Sequence, residues 1–292
     1  MVSLKFISAV IATAVAVVSA APLEKRIVTG NSFDHFMVVV LENEDYSAVM
    51  KNSYMSGLAA AHNGTLLTNY LATTHPSQPN YIAMIGGATL GFSSDNDGTT
   101  SSSSIVDLLE PAGITWKEYA ENYTPLSGGG CDTSTSQASG LYRRKHNPFI
   151  SFTKITSNAA RCKNIVPATQ LQTDISSGTL PQFMFYTPNM NNDGHDTSLS
   201  TAATWLKGFI EPLLTNTAFN KRTAVLLTWD ESASSSGNDQ VWSVLVGTGV
   251  VAQPKNTDST AYNHYSILAT VEKNWGLGNL GQKDATATPF KL

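Results

Sequence analysis

Residues 35–46 read HFMVVVLENEDY. The run from Phe36 to Leu41 is apolar, rich in valine and too short for a helix of ordinary length, so it reads as a strand buried on both faces. It stops abruptly at an acid and an amide, Glu42 and Asn43, where the chain leaves the core.

The same form recurs further along. Pro181–Thr187 (PQFMFYT) runs into the polar stretch TPNMNNDGHD, residues 187–196. Thr223–Trp229 (TAVLLTW) runs straight into Asp230, Glu231 and Ser232, and Val241–Gly247 (VWSVLVG) gives a fourth apolar run. Between the second and third runs, Leu199, Ala202, Leu206, Phe209, Ile210 and Leu213 recur at steps of three and four, the period of an amphipathic helix. Ser266–Trp275 is a second candidate helix, closed by Gly276, and Gly113–Trp116 reads as a short strand followed by a helical turn over Lys117–Asn122. Alternation of strand and helix predicts an α/β fold with a largely parallel central sheet sandwiched by helices. In such sheets sites form at the carboxyl ends of the strands, which is where the acids fall.

Composition narrows the function classes. Charged residues make up 14% of the 292-residue chain and the net charge is -4. The one basic run, Arg143-Arg144-Lys145, is too short to track a nucleic acid backbone, so no nucleic-acid partner is expected. Its guanidinium and ammonium groups either steer an anionic substrate or are simply solvated. Residues 1–20 have a secretory signal peptide's form, with Lys5 before an apolar run and Val18-Ser19-Ala20 as cleavage site. Lys25-Arg26 marks the end of a short pro-segment, residues 21–26, leaving residues 27–292 as a single α/β domain. No apolar run reaches the roughly 18 residues of a membrane span, and no hydrophobic tail suggests a lipid anchor. A secreted, extracellular or cell-wall protein follows, with N-glycan acceptors at Asn63 and Asn122 and a Cys131–Cys162 disulfide.

The stretch TTHPSQPNY, residues 73–81, sets Ser77 between two prolines. Proline fixes its own φ and restricts the residue before it, so the serine hydroxyl has few directions open to it. Acids meeting at neighbouring strand ends repel one another, and a divalent cation relieves the repulsion. Glu42, Asn43, Asp230 and Glu231 therefore suggest an oxygen-rich metal cage near a fixed nucleophile, although any single acid at a strand end is commonplace.

The motifs VVVLENEDY, THPSQPNY, RRKHNPF, NMNNDGHD, LTWDES and YNHYSILATVEKNWGL, in that order, resemble the secreted phosphoesterase family, which holds fungal and bacterial acid phosphatases and phosphatidylcholine-type phospholipases C within the alkaline phosphatase-like superfamily. Within that family the chain looks most like the fungal acid phosphatases. The resemblance implies an alkaline phosphatase-like fold, a metal site of Glu42, Asn43, Asp230 and Glu231 that includes the Ser77 hydroxyl, and Ser77 as nucleophile. It implies that His75, His146, His195 and His264 line the phosphate pocket. Asn43, Asn80 and a protonated His195 or His264 are the expected donors to phosphate oxygens. Some relatives carry two aspartates where this chain has Asp230-Glu231, one methylene longer. The expected cofactor is one divalent ion, Ca, Mg, Mn or Zn. The expected activity is hydrolysis of small phosphate monoesters through a phosphoserine, with turnover favoured on the acid side. Three alternatives stand beside it: a phospholipase C-type phosphodiesterase of the same family, disfavoured because little sequence follows the last motif; a Ser77–Asp230–His264 esterase; and a binder without turnover.

Overall fold

The structure is a computed structural model that describes residues 1–2, 27–234 and 238–292. The expected signal peptide and pro-segment, apart from the first two residues, lie outside the described residues, as does the end of the Ser-rich segment after Glu231.

The strands are β1 (His35–Leu41), β2 (Thr65–Leu67), β3 (Tyr70–Leu71), β4 (Trp116–Ala120), β5 (Ser136–Gln137), β6 (Tyr142–Arg143), β7 (Ile165–Pro167), β8 (Phe183–Thr187), β9 (Thr223–Trp229), β10 (Ser243–Val246), β11 (Thr257–Asp258) and β12 (Tyr262–Asn263). Eight of them form one sheet in the order β11-β2-β10-β9-β1-β8-β4-β7. Every residue of β1, β8 and β9 is buried, as their unbroken apolar runs require. β1 lies between β8 and β9 and is parallel to both, with Leu41 opposite Trp229. Asp230 donates its backbone N–H to the Leu41 carbonyl at 2.9 Å, so the pairing continues to the first acid. This central parallel trio brings the three polar strand ends to one edge.

Two expectations are corrected. Residues 116–120 form β4 rather than entering a helical turn at Lys117, because Trp116–Ala120 pairs in parallel with β8 on one side and with β7 on the other. The fourth apolar run becomes β10, antiparallel to β9 and to β2, so its far end points away from the acidic edge.

Two packed pairs of helices flank the sheet: Ser53–Ala61 against Leu199–Thr215, and Ser77–Gly86 against Tyr265–Trp275. The long helix starts at Ser198, whose hydroxyl accepts the Thr201 N–H, and buries Ala202, Leu206, Ile210 and Leu213. The Tyr265–Trp275 helix ends at Gly276 with φ 63°, the left-handed position that glycine accepts without a Cβ clash. Trp116, Tyr119 and Trp242 are core residues, and Trp275 packs edge-on against Phe33. Cys131 and Cys162 form a disulfide with Cα atoms 4.9 Å apart, closing a loop of chain that includes Arg143 to His146. Among the described residues no helix is long and apolar enough to cross a membrane.

Candidate active site

Ser77 opens the Ser77–Gly86 helix directly after Pro76. Pro79 sits in the first turn, where a missing N–H leaves no intrahelical bond unmade. This places the fully buried Ser77 hydroxyl under the strand ends. Its Oγ lies 3.0 Å from Glu42 Oε2 and 3.2 Å from Glu231 Oε1, and its one proton can serve either carboxylate. One turn on, Tyr81 donates from its hydroxyl to Glu42 Oε1 at 2.5 Å, so one helix face serves both carboxylate oxygens. Asn43, in the left-handed region at φ 55°, donates from its backbone to Asp230 Oδ1 at 3.3 Å and from Nδ2 to Glu231 Oε1 at 3.2 Å. Asparagine tolerates that conformation better than most residues.

The acids are crowded and dry. Burial, then the Asp193 charge, pushes Glu42 up to about 8. Burial, then the Glu42 and Glu231 charges, holds Asp230 well above the usual carboxylate range. Burial also raises Glu231, while His75 works against the rise. Asp193, which closes the same edge by accepting the Glu42 N–H at its backbone carbonyl, is pushed up to about 8, chiefly by burial. Asp230 Oδ2 and Asn43 Oδ1 are buried without a hydrogen-bond partner. Among the described residues no three His, Cys, Asp or Glu side chains form a closed cation cage by themselves. The donor set here is completed by an amide and a hydroxyl. Carboxylates raised chiefly by burial and further by one another's charge, with Asp230 Oδ2 and Asn43 Oδ1 left without donors, fit the chemistry of a divalent cation held by Glu42, Asn43, Ser77, Asp230 and Glu231.

The four expected histidines separate into two kinds. His75 binds Glu231 Oε2 through Nδ1 at 2.7 Å and lies 3.4 Å from Asp239 through Nε2. His146 is buried, with Nε2 3.4 Å from Glu42 Oε1 and its ring stacked on Tyr81 at 5.3 Å. Burial and the neighbouring Lys145, His195 and Arg143 charges hold it well below its ordinary pKa, as a neutral ring. His195 pairs with Asp196 at 2.8 Å on the open side, 6.4 Å from the His146 ring. His264 is different: its Nε2 donates to the Asp230 backbone carbonyl at 2.6 Å, and the Tyr70 hydroxyl occupies Nδ1 at 3.0 Å. Burial lowers it to about 4. The expectation of a protonated His264 at the phosphate is therefore corrected; it is a neutral strut behind Asp230.

Asn80 is likewise reassigned. Its Oδ1 accepts the Thr73 and Thr74 N–H groups, and its Nδ2 donates to the Thr74 carbonyl at 2.6 Å, so it clamps the loop carrying His75 instead of facing the cleft. The triad alternative also lacks its geometry: His264 meets a carbonyl, and Ser77 Oγ bonds carboxylates rather than an imidazole.

A cleft of about 300 Å³ opens beside the site, lined by Asp95, Asp97, Arg143, Lys145, His195 and Asp196 among others. Asp95 bridges the Gln78 N–H and the Lys145 ammonium at 2.9 and 2.8 Å. Burial works to lower the Lys145 pKa, but the Asp95 and Glu42 charges outweigh it and raise it. The basic run thus splits, with Arg144 buried and its neighbours on the cleft wall. Tyr81 and Asp193 were not singled out by sequence as site residues, and Lys145 was read only within the basic run, as either steering a substrate or solvated. Tyr81 had a signal, since it follows Ser77 by four residues on one helix face.

The phosphoesterase family profile matches residues 49–278. A probable acid phosphatase from Kluyveromyces lactis is 42% identical over 91% of this chain and 63% of its own length. A phosphate-repressible acid phosphatase from Penicillium chrysogenum is 42% identical over 91% of this chain and 64% of its own. The chain thus spans under two thirds of the length of these fungal relatives. A phosphatidylinositol-3-phosphatase from Mycobacterium tuberculosis is 30% identical over 86% of this chain and 79% of its own. In fold, the chain is similar to an alkaline phosphatase superfamily protein from Vibrio parahaemolyticus, with TM-score 0.57, 12% identity, 94% of this chain and 76% of that one. A phosphonate monoester hydrolase of Agrobacterium radiobacter follows at TM-score 0.56, 11% identity, 87% of this chain and 78% of that one.

Proposed function

The chain belongs to the phosphoesterase family, and on that footing we propose that it hydrolyses phosphate monoesters with Ser77 as the nucleophile. The observation that carries this reading is the Ser77 hydroxyl held between Glu42 and Glu231 at 3.0 and 3.2 Å. A divalent cation bound by Glu42, Asn43, Asp230, Glu231 and the Ser77 hydroxyl supplies positive charge that eases loss of the serine proton and polarises a phosphate oxygen.

This chain's own groups do the rest. Ser77 Oγ attacks phosphorus while its proton passes to the Glu42 carboxylate. The bond from phosphorus to the alcohol oxygen breaks, and the departing alkoxide takes a proton from His195 on the open side of the cleft. Water then attacks the phosphoserine and gives up a proton to the neutral His195, the serine oxygen leaves, and Glu42 returns its proton to it, which restores both groups. Lys145, on the cleft wall, supplies positive charge to the phosphate oxygens. His75 orients Glu231, and His146 orients Glu42.

Secretion is part of the same reading, supported by the paired cysteines and by the exposure of Asn63 and Asn122, which suits glycan acceptors. A second reading of substrate, a monoester on an inositol lipid headgroup, is supported by the mycobacterial relative. Assays of 4-nitrophenyl phosphate, phosphatidylinositol 3-phosphate and phosphatidylcholine, each with and without chelator, separate these readings. Monoester cleavage is expected to dominate, and chelation or Ser77→Ala to lower kcat by about a thousandfold or more. Full activity in Ser77→Ala would remove the nucleophile, and chelator-insensitive turnover would remove the cation. Preferential cleavage of phosphatidylcholine would move the chain to the diesterases.

A further inference from the structure

Behind His146 lies a buried contact that the proposed reaction does not use. Glu118, in the middle of β4, is fully buried, and Thr187, the last residue of β8, is nearly so. Glu118 stands opposite Phe185 and Ala120 opposite Thr187, so the Glu118 and Thr187 side chains are diagonal neighbours on one face of the sheet. Thr187 Oγ1 is 2.8 Å from Glu118 Oε1 and 3.1 Å from the His146 carbonyl oxygen.

A threonine hydroxyl carries one proton. If Glu118 were ionised, both neighbours of Thr187 Oγ1 would be acceptors and one contact would have no hydrogen in it. An ionised Glu118 would also bury a charge whose second oxygen, Oε2, meets no donor. A neutral carboxyl resolves both difficulties.

We propose that Glu118 is a positioning residue: its protonated carboxyl donates to Thr187 Oγ1, and Thr187 in turn donates to the carbonyl of His146, holding that imidazole against Glu42. The proposal rests on the reading that His146 serves the phosphate site. His146 ends a short turn, Arg144–His146, and the carbonyl of a last helical residue has no partner within its own turn, so the Thr187 hydroxyl supplies one. Fixing the carbonyl fixes the Cα, and with it the ring that stacks on Tyr81 and reaches Glu42.

The surroundings favour the neutral form. Burial pushes the Glu118 carboxyl well above the usual range, against the pull of the Thr187 hydroxyl. The titratable groups facing it are the Tyr142 and Tyr186 hydroxyls, with Arg144 acting on Tyr142. Neither tyrosine offers a counter-charge. As pH rises far enough to ionise Glu118, Thr187 must turn its proton to the carboxylate and release His146.

The test compares the whole protein with Glu118→Gln, Glu118→Leu, Thr187→Ser and Thr187→Val. The infrared difference between wild type and Glu118→Gln near neutral pH is expected to contain the carbonyl stretch of a protonated acid. Glu118→Gln and Thr187→Ser keep a donor in place, so both should hold kcat within about threefold and leave the His146 ring signals in NMR unmoved. Glu118→Leu and Thr187→Val break the chain of donors, so both should shift those signals and lower kcat by about tenfold with KM little changed. The alkaline limb of the activity profile should retreat to higher pH in Glu118→Gln. A carboxylate band in the difference spectrum, or unmoved His146 signals in Thr187→Val, would overturn the proposal. If Glu118→Leu does not fold, the Thr187 pair and the infrared band still decide. If wild type hydrolyses no phosphate ester, the functional reading fails alone, because the spectroscopic arms do not need turnover.

Discussion

Glu42 shows at the scale of one residue how the site is held. A buried carboxylate beside Asp193 would be repelled, yet Ser77 and Tyr81 donate to its two oxygens from successive turns of one helix. The Tyr81→Phe variant removes one of those donors and nothing else. It should cost about 1–3 kcal/mol of stability, since a buried acceptor is left short of its donor. Urea unfolding measures this, and an unchanged midpoint would mean that the hydroxyl and Glu42 are not bonded. Sequence pointed to Ser77 through the prolines on either side of it and to Glu42 through the recurrence of acids at successive strand ends. It could not assign Asn80 or His264, because an amide or imidazole looks the same whether it faces a cleft or a backbone carbonyl. Only the fold shows that Asn80 is spent on Thr73 and Thr74 and that His264 is spent on Asp230 and Tyr70.

At the scale of elements, the apolar runs of β1, β8 and β9 were legible, and so was the meeting of their ends, because a parallel trio has its carboxyl ends on one edge. The Leu199–Thr215 helix was legible from its period and the Tyr265–Trp275 helix from its glycine stop. β4 was not. Its large apolar residues Trp116 and Tyr119 are three apart, which imitates a helical step, and Glu118 puts an acid at a buried position. That acid reads as solvent-facing until its hydrogen bond to Thr187 is seen. The direction of β10 was hidden for another reason. An apolar run carries no sign of its direction, which here comes from pairing with β9 and β2.

Across the whole molecule, buried acids gather at one sheet edge while Lys145, Arg143 and His195 line the cleft beside them. The acids make stability depend on pH in a definite sense. Glu42 rises from 4.5 to about 8 on folding, and Asp193 from 3.8 to about 8. Between those limits the folded protein keeps protons on these two acids that the unfolded chain has released, so their contribution to stability falls as pH rises and is spent above about 8. With chelator present, the melting temperature should therefore drop as pH is raised from about 5 to about 8. A divalent cation should flatten the drop by taking the place of the protons. Calorimetry with and without cation checks this, and a melting temperature that climbs over the same interval with chelator would contradict it.

The phosphoryl group itself gives the most direct measurement of the central claim, that Ser77 at the acidic edge takes it from a phosphate monoester. The protein is quenched during turnover and its peptides are read by mass spectrometry. A phosphoryl group on Ser77 in the wild type, absent without substrate and absent in Ser77→Ala, is the expected result. Modification at another residue, or steady turnover in Ser77→Ala, would contradict it.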